Sequence, residues 1–137
     1  MKRIRLLTVA LGLVLGLCSP TFAQMGKEVA IAKSEAILKN LQKDAIAEIV
    51  KEFNPKMAQA ISAETLRAVW VKLTGQFGAV KSVDERREGQ LQGFQAVELM
   101  LSFEKERLVQ RTVFDGEGKV AGLSFQPASM ALLPAGK

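Results

Sequence analysis

Histidine and tyrosine are absent from the sequence, and its single cysteine, Cys18, lies close to the N-terminus. Histidine is the commonest acid or base near neutral pH, and tyrosine supplies the phenol donor of many active sites. Histidine and cysteine are also the usual ligands of zinc. These absences argue against most acid–base, thiol and zinc-dependent catalysis, so we predict neither a metal site nor a cofactor. The sequence also lacks a glycine-rich phosphate loop.

The N-terminus has the pattern of a secretory signal peptide. Lys2, Arg3 and Arg5 precede an apolar run over residues 6–17, and Ala23 is the last of the small residues that a cleavage site requires. We therefore expect cleavage after Ala23. The mature chain is predicted to be exported, either to the periplasm or out of the cell.

Two alternatives to an ordinary signal peptide are disfavoured. A membrane-spanning helix needs about 20 apolar residues, and this apolar run ends sooner, at Ser19 and Pro20. A lipoprotein would be acylated on Cys18, but that processing requires a small residue before the cysteine, and Leu17 is large. We therefore expect the mature chain to leave the membrane after cleavage.

Charge and cysteine content both change with cleavage. Removing the signal peptide leaves 16 basic residues against 14 acidic ones, so the formal charge falls from +5 to +2. A surplus this small gives no electrostatic reason to expect nucleic acid or an anionic membrane as a partner. The loss of Cys18 excludes a disulfide, so stability must come from a packed core.

Residues 62–78 predict the helix around which the rest of the chain is organised. Ser62 is a suitable N-cap, and Gly75 is the predicted stop because glycine tolerates the left-handed backbone that closes a helix. The apolar stripe of this helix consists of Leu66, Val69, Trp70 and Leu73. Trp70 could stack on a ligand, but its place in the stripe favours core packing.

Two further helices and a connector precede this stretch. Residues 25–42 and residues 44–53 each carry apolar side chains at helical spacing. Asp44 is the predicted N-cap of the second helix. Pro55 ends that helix, because the residue before a proline disfavours the helical conformation. A short helical turn then leads from Pro55 to Ser62.

Beyond residue 78 the apolar period changes to two, which predicts four strands. These strands are expected at residues 80–89, 94–104, 108–114 and 120–126. The first strand is polar and is expected at an exposed edge, and a glycine-containing turn joins the last two. The tail has no period, so we expect residues 128–137 to be mobile.

Helices followed by an antiparallel meander predict an α+β fold. Three N-terminal helices are expected to pack on one face of a curved, four-stranded antiparallel sheet. The predicted organisation is a signal peptide over residues 1–23 and a single domain over residues 24–127.

The second strand predicts a partner surface. Its residues alternate, so Val97 and Leu99 face the helices. Phe94, Ala96 and Met100 then lie on the outer face of the sheet. Large apolar groups on an outer sheet face favour pairing with a second sheet. We therefore predict a homodimer that forms through this outer face.

The order of the core and turn residues is distinctive. It runs through Phe53, Met57, Leu66, Trp70, Leu73 and Phe77-Gly78, then V-E-L-M-L-S-F-E, and then V-F-D-G-E-G-K-V-A-G-L-S-F-Q-P. On these residues rests a resemblance to a known family, domain of unknown function 3887. It covers about residues 31–127 and implies a cone fold of the nuclear-transport-factor-two-like or cystatin-like kind, whose members often dimerise through the sheet. Some relatives continue into an α/β-hydrolase domain. This sequence has no G-x-S-x-G nucleophile elbow, so hydrolase activity is not implied.

The predicted function is that of an exported, non-catalytic binding or self-association module. The cone could also hold a small hydrophobic ligand, lined by Met57, Trp70 and Phe77. A filled core is the simpler expectation for these three side chains.

The alternative is a small cone-fold enzyme of the isomerase or dehydratase type. The resemblance implies an Asp assisted by Tyr or His, whereas this chain offers carboxylates alone. Asp44, Asp84 and Glu98 are the candidates, and each is more simply explained as a helix cap or a solvated strand residue. The pair Arg86 and Arg87 could hold an anion, but its acidic neighbours predict a neutralised surface.

Overall fold

The computed structural model describes residues 25–134, so the predicted signal peptide and the last three residues lie outside the described part. Four helices come first: α1 Lys27–Gln42, α2 Ile46–Val50, α3 Pro55–Ala60 and α4 Ala63–Phe77. Four strands follow: β1 Val80–Leu91, β2 Phe94–Phe103, β3 Arg107–Phe114 and β4 Val120–Pro127. A 3-10 turn at Ala128–Met130 begins the C-terminal segment. Within residues 25–134, no helix has both the length and the apolar character of a membrane span.

The α+β fold is confirmed. The four strands form a curved, open antiparallel sheet in the order β1-β2-β3-β4, and the helices precede the sheet in sequence. The predicted polar strand β1 is an edge strand, as expected. The connector between the second and fourth helices is itself a short helix, α3, whose N-cap Asn54 accepts a hydrogen bond from Met57 N at 2.8 Å.

The main core lies between the helices and one face of the sheet. Alternate residues of β2 contribute to it, among them Val97, Leu99 and Leu101, all fully buried. Trp70 of α4 is also buried there, and its ring centroid lies 6.0 Å from that of Phe103 and 5.6 Å from that of Phe125. Trp70 is therefore a core residue.

Helix α4 begins as predicted but ends later. Ser62 Oγ accepts a hydrogen bond from Thr65 N at 3.1 Å, which confirms the N-cap. The predicted stop at Gly75 is wrong, because the helix continues to Phe77 and the left-handed residue is Gly78, with φ of +87°. A Cβ at Gly78 would lie 2.7 Å from Glu104 Cβ, so the close approach of the β2 end requires glycine at this position.

Two other details differ from the sequence expectations. Val69 is 43% exposed, so the buried stripe of α4 is narrower than predicted and rests on Leu66 and Trp70. Asp44 is not the N-cap of α2, because that position is Ala45 and the Asp44 backbone is left-handed, with φ of +59°. The Asp44 carboxylate instead accepts a hydrogen bond from Arg67 Nε at 2.8 Å, since α4 passes close to the start of α2.

Candidate functional site

The C-terminal segment, residues 128–134, lies across the outer face of the sheet, opposite the helices. The Met130 carbonyl accepts a hydrogen bond from Arg111 Nη2 of β3 at 2.8 Å. The Leu133 carbonyl accepts one from Arg87 Nη1 of β1 at 3.0 Å. The segment thus passes from β3 over β2 to β1. The sequence predicts a mobile tail here, whereas side chains of three strands contact residues 128–134.

Glu98 of β2 is the centre of these contacts. Its side chain is fully buried, and Oε2 accepts a hydrogen bond from Arg111 Nε at 2.8 Å. The carboxylate also accepts hydrogen bonds from Leu132 N at 2.9 Å and from Leu133 N at 2.8 Å. A buried carboxylate is tolerated only where charge and hydrogen bonds compensate for lost hydration. The C-terminal segment supplies two of the donors that Glu98 needs.

Leu133 fills a socket on the same face. Its side chain is 4% exposed, and a Cβ at Gly89 of β1 would lie 3.1 Å from Leu133 Cδ2. Gly89 pairs with Ala96 in the β1–β2 register, so two small residues lie side by side at this point of the sheet. The absence of a side chain at Gly89 makes the room that Leu133 occupies.

The three predicted dimer contacts have different surroundings. Ala96 is fully buried and Met100 is 4% exposed, whereas Phe94 is 47% exposed. A charge at Met100 would therefore disturb the fold as well as any interface. The apolar groups exposed on this side of the sheet are Phe94 and two residues of the C-terminal segment, Met130 at 54% and Leu132 at 64%.

The three predicted pocket residues belong to the core. Met57 and Trp70 are buried, and Phe77 packs against the core with its ring centroid 6.4 Å from that of Phe103. A groove in the described part of the chain is lined elsewhere, between α1 and α2. It measures about 330 Å³, and its apolar floor consists of Ala36, Ile37, Ile49, Phe114 and Val120. A small hydrophobic ligand stays a prediction.

The lysine at the rim of this groove, Lys33, already has interaction partners. Lys33 Nζ donates a hydrogen bond to the Gly118 carbonyl at 3.2 Å and lies 3.6 Å from Glu52 Oε1. The rim therefore presents a compensated cation, and the groove itself offers mainly apolar contact.

The candidate carboxylates of the enzyme alternative do not form one site. Asp44, Asp84 and Glu98 have separate hydrogen-bond partners. Hydrogen bonds from the hydroxyls of Ser102 and Ser82 hold the pKa of Asp84 below its usual value of 3.8, and Arg107 contributes in the same direction. A lowered pKa makes Asp84 a weak base. Among residues 25–134, no group of three potential metal ligands comes together.

Comparison with known families assigns the chain to one family. The model of a family described as "Protein of unknown function (DUF3887)" matches residues 34–123. The chain belongs to this family. The match confirms the family part of the sequence resemblance, and it runs from the middle of α1 into β4. No curated protein and no solved structure matches the chain.

This family membership assigns no activity, and the matched region stops before the C-terminal segment. Sequence reasoning missed Arg87, Arg111 and Leu133 as a connected group. Two signals pointed to it: Glu98 is an acidic residue inside an otherwise apolar strand, and Gly89 lies within a strand, where glycine often marks close approach by another chain segment.

Proposed function

We propose that the mature chain is an exported, non-catalytic interaction module that forms a homodimer through the outer side of its sheet. The observation that carries the proposal is the exposure of Phe94, Met130 and Leu132 on that side, each close to half exposed or more. Exposed apolar groups concentrated on one side favour a protein partner, because their burial is favourable.

The C-terminal segment shapes this surface. Leu133 faces the sheet, and its neighbour Leu132 projects outward while the Leu132 backbone is held on Glu98. The hydrogen bond from Arg111 Nη2 to the Met130 carbonyl holds Met130 in the same way, and Arg87 Nη1 donates to the Leu133 carbonyl. A second copy would therefore meet a preorganised surface, which lowers the entropic cost of association.

The proposed dimer uses the outer face of the sheet that the sequence predicts, but with different contact residues. Phe94 remains, while Ala96 and Met100 support the surface from below. The cone-fold resemblance, with its nuclear-transport-factor-two-like and cystatin-like relatives, supports the same proposal, because cone-fold proteins often dimerise through the sheet. Export rests on the predicted signal peptide.

Sedimentation equilibrium of the mature protein tests the proposal. We expect a concentration-dependent dimer, and we expect the double variant Met130→Gln, Leu132→Gln to weaken dimerisation by about tenfold or more. Glutamine keeps the backbone contacts and removes the apolar groups without adding a charge beside Glu98.

Helix α4 offers a matched control. Val69 and Val71 are also exposed, at 43% and 60%, and lie on another side of the molecule. The double variant Val69→Gln, Val71→Gln should dimerise as the parent protein does. A monomeric parent, or equal weakening by both double variants, would overturn the proposal. Circular dichroism would confirm that each variant is folded.

A further inference from the structure

A second groove lies between α1 and the first half of β1. It measures about 290 Å³. Its apolar lining is Leu38 of α1 together with Val80 and Val83 of β1. The polar lining consists of Glu35, Lys39, Gln42, Lys81, Ser82 and Arg86. The helix residues fall at helical spacing, so one face of α1 forms one wall and the sheet edge forms the other.

The edge strand is irregular at this point. Val80 pairs with Phe103 and Ser82 pairs with Ser102, so Lys81 is an extra residue with no partner on β2. A bulge of this kind bends a strand and redirects its side chains, and bulges are frequent beside functional sites. Here the bulged residue Lys81 is part of the groove lining.

A second irregularity in β1 lies at Asp84, whose carboxylate is not part of the groove lining. It falls between Val83 and Glu85, which leaves Asp84 without a partner on β2. The Asp84 carboxylate accepts hydrogen bonds from Ser82 and from Ser102 and lies 3.5 Å from Arg107. Asp84 is thus neutralised by its own partners, and it does not line the groove.

The groove carries an uncompensated positive charge. Glu35 forms an ion pair with Arg86, so these two charges cancel. Within the described residues, Lys39 and Lys81 have no acidic partner. This differs from the groove between α1 and α2, where Lys33 is engaged by Glu52 and by the Gly118 carbonyl.

We propose that the groove between α1 and β1 binds an aliphatic carboxylate. The carboxylate would lie between the ammonium groups of Lys39 and Lys81 and accept charge-assisted hydrogen bonds from them, which are stronger than hydrogen bonds between neutral groups. The aliphatic body would lie against Leu38, Val80 and Val83. An apolar surface beside a few polar groups is the usual composition of a small-molecule site. The site is separate from the proposed dimer surface, so the two proposals stand independently.

Isothermal titration of the mature protein with octanoate tests the chemistry. We expect octanoate to bind, and we expect acetate, octanol and octylammonium each to bind at least about tenfold more weakly. Acetate lacks the aliphatic body, octanol lacks the charge, and octylammonium has the opposite charge. Equal binding of octanol or octylammonium would overturn the proposal, and so would the absence of octanoate binding.

Substitution of the two lysines tests the site. The double variant Lys39→Gln, Lys81→Gln should weaken octanoate binding by about tenfold or more. Lys72 of α4 and Lys105 of the β2–β3 turn are exposed, and the double variant Lys72→Gln, Lys105→Gln changes the net charge equally. This control should bind octanoate as the parent protein does, and an equal loss in both variants would show non-specific attraction only.

Amide chemical shifts would locate the ligand. Octanoate should perturb the amides of Lys39, Lys81 and Val83. Perturbation centred on Ile49 and Phe114 would place the ligand in the other groove and would overturn the assignment. All four lysine substitutions are at exposed positions, so each variant is expected to fold, and Trp70 fluorescence would verify that the core is intact.

Discussion

Arg111 Nε lies 2.8 Å from Glu98 Oε2, and this ion pair connects two neighbouring strands to a segment that follows the sheet in sequence. Glu98 and Arg111 face each other in the β2–β3 register. Because the same carboxylate also accepts hydrogen bonds from Leu132 N and Leu133 N, the position of the C-terminal segment depends on the ion pair.

Removal of the Glu98 charge should release the C-terminal segment. Glu98→Gln leaves Arg111 without its buried partner, and removing one member of a buried ion pair typically costs about 3 to 5 kcal/mol. Hydrogen exchange at the amides of Leu132 and Leu133 should accelerate, and the free energy of unfolding should fall. Glu117→Gln, on the exposed turn before β4, should change neither. Unchanged protection of both amides in Glu98→Gln would contradict the role of the ion pair.

Adjacent leucines should respond differently to truncation. Leu133 is 4% exposed and Leu132 is 64% exposed. Leu133→Ala should lower the free energy of unfolding by about 2 to 5 kcal/mol, as is usual for buried leucines. Leu132→Ala should change it by less than about 0.5 kcal/mol. Urea denaturation of the two variants at a concentration where the parent is monomeric makes the comparison, and equal effects would instead indicate a mobile segment.

Gly75 within α4 and Gly78 at its C-cap should respond in opposite directions to substitution by alanine. Gly75 lies inside α4, and a Cβ there would meet nothing within 4 Å. Gly75→Ala should therefore stabilise the protein by about 0.5 to 1 kcal/mol. Gly78→Ala should destabilise it, because φ is +87° and a Cβ would lie 2.7 Å from Glu104 Cβ. Thermal unfolding of both variants measures the difference, and stabilisation by Gly78→Ala would contradict the position of the helix end.

Truncation of Trp70 should be strongly destabilising. Its indole packs against Phe103 and Phe125 in the core, and Trp→Ala substitutions of this kind cost about 3 to 5 kcal/mol. Val71→Ala, the next residue and 60% exposed, is the control and should have little effect. Chemical denaturation followed by circular dichroism measures both. A mild effect of Trp70→Ala would instead favour a ligand-stacking role.

Asp115, in the turn between β3 and β4, should make the free energy of unfolding decrease at acidic pH. Burial alone would raise the pKa of Asp115, but hydrogen bonds from Lys119 N, the Asn54 side chain and Glu117 N outweigh it and hold the pKa below the usual 3.8. A carboxyl with a lower pKa in the folded state stabilises the fold above its unfolded pKa, and this contribution is lost as the pH falls through the folded pKa.

Asp115→Asn should therefore remove part of the acid sensitivity. The variant should be less stable than the parent at neutral pH, and the difference should shrink below about pH 4. Urea denaturation at several pH values measures this convergence. A stability difference that stays constant with pH would contradict the assignment.

Much of the fold could be predicted because it depends on local patterns. The N-cap at Ser62, the alternation of β2 and the four-strand meander follow from residues close together in sequence. The end of α4 could not be predicted in this way. Gly75 and Gly78 are both suitable stops, and the approach of Glu104 from the end of β2 decides between them.

The candidate sites were less accessible to prediction. Alternation places Phe94, Ala96 and Met100 on one face of β2, but alternation does not report what covers that face. Pairs such as Glu98 with Leu132 N, 34 positions apart in sequence, form only after the sheet is assembled.

The sequence by itself determined the order of helices and strands and the alternation of β2, because periodicity and capping are local properties. Tertiary structure alone decided that residues 128–134 cross the outer face and that Lys81 joins Lys39 beside α1. The first depends on a carboxylate whose donors come from distant segments, and the second on a bulge defined only by the pairing of two strands.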